Sequence, residues 1–306
     1  MRVPLPAAMI TMSSFNTRSF KLCCIITALA SAFFLQACSA TKLAYNQAPD
    51  IIYWWLDGYF DFNGQQSPKV RDELARLQAW HRSSELPKTN ALLLKAQALM
   101  PRDVAGAQVC ALFAEARGLF DNVTERVQPA VVGLAATLDV AQIEHLAGKY
   151  VKNNEKFTED YLAGTPDERA AKRLKQALER SETIYGKLGE PQIAAIKKAI
   201  ATSSFDAKIW AKERERRQQD TLQVLRNINA QRPDATGLQA QLRSLLARIA
   251  SSPDAAYRAY AEKMTQEGCA SFAAVHATTT PTQRAKAVQS LQGYGADIQA
   301  LMGQGK

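Results

Sequence analysis

Helix starts recur along this chain, and no stretch of it alternates as a strand does. Asp139 with Gln142, Thr165 with Glu168, Gly189 with Gln192 and Thr280 with Gln283 each place a cap three positions ahead of Gln or Glu. In this device the cap accepts an amide hydrogen from the third helical residue, whose side chain reaches back to the cap amide. Runs of alternating β-branched residues are absent and Ala and Gln are abundant, so the expected fold class is all-α. The expected helices are 49–62, 67–85 behind Ser67 and Pro68, one from Pro87 to about Met100, and 103–127 ended by Pro129, with 130–137 as a short continuation. Asp139 then opens a helix to about Leu162, followed by 166–186 and by the longest segment, from Pro191 to about Ala230. Helices 235–250 behind Asp234, 253–276 behind Ser252, and Pro281 to about Met302 complete the set. Short loops between them imply an elongated multi-helix bundle or stacked helical hairpins.

Three of these starts, at 138–142, 188–192 and 279–283, echo one another, and reciprocal capping is a sufficient local cause. The echo also resembles the LTxxQ motif of small periplasmic helical proteins such as the Spy-like chaperones. Only Leu and Gln of that motif stand at 138–142 and 188–192, and Leu is missing at 279.

Ahead of the helices, residues 22–35 form an apolar run of 14 residues. That is long enough for the core of an export signal and too short for an ordinary membrane span. Arg18 and Lys21 precede it, no acidic residue occurs before Asp50, and Leu35-Gln36-Ala37-Cys38 follows; Met12 is an alternative start. The segment resembles a bacterial lipoprotein signal peptide. The resemblance implies cleavage before Cys38, diacylglycerol on its thiol and a fatty acyl chain such as palmitate on its freed amine. Several chains on one residue hold a protein at a membrane far more durably than one chain does. Ser39 in place of Asp resembles the pattern of lipoproteins sorted to the inner leaflet of the outer membrane, facing the periplasm. The expected domains are therefore a signal peptide at 1–37, a lipidated tether at 38–48 and a single helical periplasmic domain at 49–306, with two subdomains dividing near 188 as an alternative.

Cleavage would remove Arg2, Arg18 and Lys21 and no acid, taking the formal charge from +9 to +6. This modest excess suits a place near anionic lipid and does not nominate nucleic acid. After Phe60 no segment is long and apolar enough to cross a bilayer. Cys23 and Cys24 leave with the signal, so Cys110 and Cys269 remain as an even pair in an oxidising compartment. A disulfide between them and two buried thiols both fit the sequence. No His lies at ligand spacing from either, so no metal site is expected, and no cofactor.

The strongest local signal is Tyr45-Asn46, then Trp54-Trp55-Leu56-Asp57-Gly58-Tyr59-Phe60-Asp61, then Trp80-His81-Arg82-Ser83-Ser84-Glu85-Leu86-Pro87. This combination after a lipobox resembles an uncharacterised family of proteobacterial lipoproteins of the DUF6279 type. The family brings a helical fold and an envelope location, and no established activity. Trp54, Trp55, Tyr59 and Phe60 carry apolar area on more than one helical face. Such a helix inserts between others, binds a partner or lies at the lipid interface.

His81 and Glu85 stand one helical turn apart, and Asp57 or Asp61 can approach from the preceding helix. As a proton-transfer pair they would suit an envelope hydrolase; as structural residues, His81 and Arg82 tie the helix end. No serine nucleophile motif, HExxH or glycine-rich phosphate loop is present, and His145 and His276 are isolated. The longest helix carries Lys208, Lys212, Glu213, Arg214, Glu215, Arg216 and Arg217 around Trp210. This is either a solvated face or a strip for anionic glycan, lipid head groups or an acidic protein surface.

The expectation is an outer-membrane lipoprotein with a non-enzymatic binding or structural role toward a protein or envelope component. Its candidate binding residues are Trp54, Trp55, Tyr59, Trp80, His81, Arg82, Glu85 and Trp210, with no catalytic residue assigned. The alternatives are a Spy-like periplasmic chaperone and a hydrolase built on His81 and Glu85.

Overall fold

A computed structural model describes residues 40–304, so the apolar leader and Cys38 lie outside the described residues. Among the described residues there are helices and no strands. They are α1 (Ala40–Asn46), α2 (Ala48–Phe60), α3 (Gln66–Trp80), α4 (Leu86–Leu99), α5 (Gly106–Ala135) and α6 (Val140–Phe157). There follow α7 (Pro166–Tyr185), α8 (Glu190–Thr202), α9 (Ala207–Gln231), α10 (Ala235–Ala250), α11 (Ala255–Ala277) and α12 (Pro281–Gly303). The segment expected as a tether is thus helical over Ala40–Asn46. From Asn46 onward the chain makes one compact unit.

The apolar stripes explain the packing. Leu238, Leu242 and Leu245 recur at helical spacing and meet Ile143, Leu146, Val224, Leu225 and Ile228, joining α6, α9 and α10 in one cluster. Met100, Val109, Tyr185, Leu188, Ile196, Cys269 and Ala287 form a second. Each cluster draws residues from both sides of position 188. Tyr53, Phe62 and Leu74 make a smaller one that fastens α2 to α3. Cys110 and Cys269 are joined by a disulfide, with Cα atoms 5.4 Å apart. It ties α5 to α11, where a Cβ on Gly106 would already meet the Ala270 backbone at 3.4 Å.

Several boundaries differ from the expected ones. Pro87 does not restart the chain: α3 runs into α4 through a π-helical turn, His81–Glu85. Proline lacks an N–H and crowds the carbonyl four residues back, and a wider turn accommodates both. The Leu86 amide donates instead to the His81 carbonyl, five residues back. Pro129 likewise sits inside α5 rather than ending it. It is exposed, as is Glu125, so water can reach the carbonyl that loses its helical donor.

The longest expected helix is broken at 203–206 into α8 and α9. There the Ser204 amide and hydroxyl donate to Glu267 at 2.8 and 2.6 Å, and Asp206 accepts from the Lys208 amide at 2.7 Å. Short polar side chains that bond locally compete with the helix. Asp254, rather than Ser252, caps α11.

The repeated helix starts are not only local. Gln66 and Asn63 exchange the same two bonds as Asp139 with Gln142 and Thr280 with Gln283, at 3.1 and 3.0 Å, which adds a fourth member to the echo. At Gly189, which has no side chain, only the bond from its amide to Gln192 is made. Gln66 then reaches the Thr137 carbonyl at 3.1 Å, and Gln142 reaches the Asp61 carbonyl at 3.0 Å. In the other half Gln283 donates to the Lys187 carbonyl at 3.0 Å and Gln192 to that of Thr278. Each glutamine therefore binds a carbonyl two residues ahead of the opposite cap. Two crossed pairs of helix starts, 63–66 with 139–142 and 189–192 with 280–283, lock the ends of the bundle.

Candidate groove

Five helices, α2, α5, α6, α9 and α11, bring aromatic and basic side chains to one open groove of about 990 Å³. On α2, Trp55 and Tyr59 are one turn apart, their rings 4.8 Å between centroids. The Tyr59 hydroxyl accepts from Asn153 at 2.7 Å, which fixes the ring against Tyr150 of α6. On α9, Trp210, Arg214 and Arg217 stand at i, i+4 and i+7 and so share a face. On α11, Tyr257 and Tyr260 repeat that logic at i and i+3, and all of these residues line the groove.

Charge within the groove is unbalanced. Arg117, Arg214, Arg217 and Arg258 line it against Glu213 and Glu262. Glu213 is buried and already taken by Arg216 and Arg217 at 2.8 Å and by the Ser252 hydroxyl at 3.0 Å. Burial pushes its carboxyl up, yet these three partners outweigh that and hold it at about 2.

Arg214 donates to Asn154 at 2.9 Å, Arg258 to the Ser252 and Pro253 carbonyls, and Arg117 to the Ala250 carbonyl. Among the described residues, none of these three arginines has a carboxylate within ion-pairing distance. Their partners are neutral, so their positive charge faces the groove unneutralised. Chemically, such a surface can hold an anion by its guanidinium forks and a ring by its aromatic faces.

The candidate residues from the sequence separate into two groups. Trp55, Tyr59 and Trp210 come together here, although more than 150 positions of chain divide the first from the last. Trp54 does not join them: it is 65% exposed and outside the groove lining, with Arg71 5.5 Å from its ring. Trp80 ends α3, and His81, Arg82 and Glu85 lie on the turn that follows, all away from the groove lining. There Arg126 sits 5.9 Å from the Trp80 ring and Arg82 donates to Asn46 at 2.8 Å.

Glu85 is 1% exposed and is held by Lys88 at 2.6 Å and Asn122 at 3.1 Å. Burial pushes its carboxyl up, and the bonds from Lys88 and Asn122 more than offset this. Burial also lowers the basicity of His81. Asp57 is engaged by the Phe62 amide at 3.0 Å. The Glu85 carboxylate is sealed from solvent.

Tyr150, Tyr257 and Tyr260 were not singled out from the sequence. A spacing signal was available for the last two, which repeat at helical period. His276 is packed inside, with the Tyr185 hydroxyl donating to Nδ1 at 2.9 Å and Nε2 donating to the Arg102 carbonyl at 2.9 Å. His145 meets the Gly58 carbonyl at 3.2 Å.

Among the described residues no group of His, Cys, Asp or Glu is arranged to hold a metal ion, and no helix is long and apolar enough to cross a membrane. The model of a family of unknown function, DUF6279, matches residues 58–258. No curated protein and no solved structure matches the chain.

Proposed function

The chain belongs to the DUF6279 family, and on that premise we propose that it is a non-enzymatic lipoprotein of the outer membrane whose groove binds an anionic envelope glycan. In this reading Cys38 carries the lipid and the helical body faces the periplasm from the inner leaflet. One observation supports the ligand class above all: Arg117, Arg214 and Arg258 line the groove beside Trp55, Tyr59 and Trp210 with their charge unneutralised. A sugar ring presents apolar C–H faces to aromatic rings, and its carboxylate or phosphate groups match guanidinium forks. Binding needs no acid–base pair, and the sealed environment of Glu85 suits that.

The test is titration of the purified mature chain with carboxylated glycan fragments from the envelope, followed by tryptophan fluorescence. Binding should weaken as salt rises and should be lost in Arg214→Gln/Arg258→Gln. Equal binding by that variant, or none by the parent, overturns the reading. Suppressed aggregation of unfolded clients without glycan binding would favour the Spy-like chaperone role. For the anchor, the mass of the amino-terminal peptide from membrane fractions should include acyl chains on Cys38.

A further inference from the structure

Helix α2 is apolar on both sides. Its inner arc is accounted for: Tyr53 is buried, and Leu56 and Phe60 pack with it against α3. The outer arc is not. Ile51, Ile52, Trp54 and Trp55 are exposed, three of the four by more than half, and they follow one another around one side of the helix. The acidic residues of α2 lie off that arc, Asp50 paired with Arg71 at 3.1 Å and Asp57 capping the helix end. The result is a face of two indoles and two isoleucines to which α2 adds no charge of its own, with the Arg71 guanidinium of α3 lying 5.5 Å from the Trp54 ring. Scattered single exposed apolar residues would need no account.

We infer that this face of α2 docks on the surface of a phospholipid bilayer, with the Trp54 and Trp55 indoles at the headgroup level. Composition selects the occupant: tryptophan is favoured where one side of a ring is apolar and the other wet. Position selects it again. Ala48 is ten residues from Cys38, so even a fully extended connection reaches only ~35 Å. A lipid on Cys38 therefore holds this face within reach of the membrane at all times, and the inference rests on the reading of Cys38 as the anchor. Weak interfacial contact becomes effective when a tether supplies high local concentration. Trp55 belongs both to this face and to the groove rim, so docking would turn the groove mouth toward the headgroups.

The experiment supplies the tether chemically. With Cys110 and Cys269 in a disulfide, Cys38 is the one free thiol of the mature chain, and a maleimide lipid in phosphatidylethanolamine–phosphatidylcholine vesicles will capture it. Bromine on the lipid chains then quenches any indole at the interface. Quenching is expected in the parent and should vanish in Trp54→Phe/Trp55→Phe, which retains Trp80 and Trp210. In Ile51→Glu/Trp54→Glu, whose sites lie outside the groove lining, the Trp55 quenching should also be lost while glycan binding persists. Unquenched indoles in the tethered parent overturn the inference, as does a dimer that shields them or quenching that survives the Phe substitutions. Because the tether is added by hand, these outcomes are independent of whether cells acylate Cys38, which the peptide mass decides separately.

Discussion

Gln66 and Gln142 hydrogen-bond to each other twice inside the core, at 2.7 and 3.1 Å, although 76 positions separate them. Each also completes its own helix start and holds a carbonyl from the other's approach. A residue usually valued for a local cap is here the junction between two helix ends.

The first prediction separates these roles. Gln142→Ala removes the amide that holds the Phe60 and Asp61 carbonyls and both bonds to the buried Gln66, which keeps only Thr137 and the Asn63 amide. The change should cost roughly 2–4 kcal/mol in urea denaturation. Glu168 sits in the same position of an exposed start, with no such partners, so Glu168→Ala should cost only about 1 kcal/mol. A double-mutant cycle on Gln66 and Gln142 should show coupling above about 0.5 kcal/mol. Equal costs at 142 and 168 would reduce the interlock to ordinary capping.

The helix starts were readable because capping is a local exchange of bonds between residues three apart. Their crossing was not, since a cap is already explained by its own neighbours. The start at Asn63 and Gln66 was hidden by Ser67-Pro68, a stronger local signal a few positions on. The break at 203–206 was missed for a related reason: what stabilises it is Glu267, over 60 residues away. Trp210, Arg214 and Arg217 shared a visible spacing, but charge runs on helices are usually solvated faces. Only the α2 and α11 residues that line the same groove make this one a wall.

The Cys110–Cys269 bond spans a sequence separation of 159 residues. Closing so long a loop restricts the unfolded chain, and the loop-entropy model gives roughly 5 kcal/mol. Cys110→Ala/Cys269→Ala should unfold at correspondingly lower urea, and thiol reductant should lower the midpoint of the parent but not of the variant. An unchanged midpoint on reduction would mean that the packing of α5 on α11 suffices alone.

Glu85 tests the structural account of the WHRSSELP segment. Removing its carboxylate in Glu85→Ala leaves a gap at a buried site and takes the acceptor from the Asn122 amide, while the half-exposed Lys88 ammonium turns to water. The expected cost is roughly 2–4 kcal/mol, read from thermal or urea unfolding. Glycan affinity should stay at the parent value, because the residue lies outside the groove lining. Lost binding with full stability would return this segment to the functional site.

Glu213 should make the protein acid-sensitive in a defined window. Its carboxyl lies at about 2 in the fold against an ordinary value of 4.5. For a depressed carboxyl the contribution is present in full above the unfolded value and disappears as pH falls through the folded one. Stability should therefore fall between about pH 4.5 and 2, and the contribution above that window is roughly 3 kcal/mol. Asp220, held low first by its hydrogen bond from Arg248, falls with it, so the parent curve alone does not isolate Glu213. The difference between parent and Glu213→Gln does. That variant should be less stable at pH 7 and should converge on the parent as pH approaches 2. Parallel curves across the window would show that Arg216 and Arg217 do not depend on this carboxylate, and that the groove wall is held by packing instead.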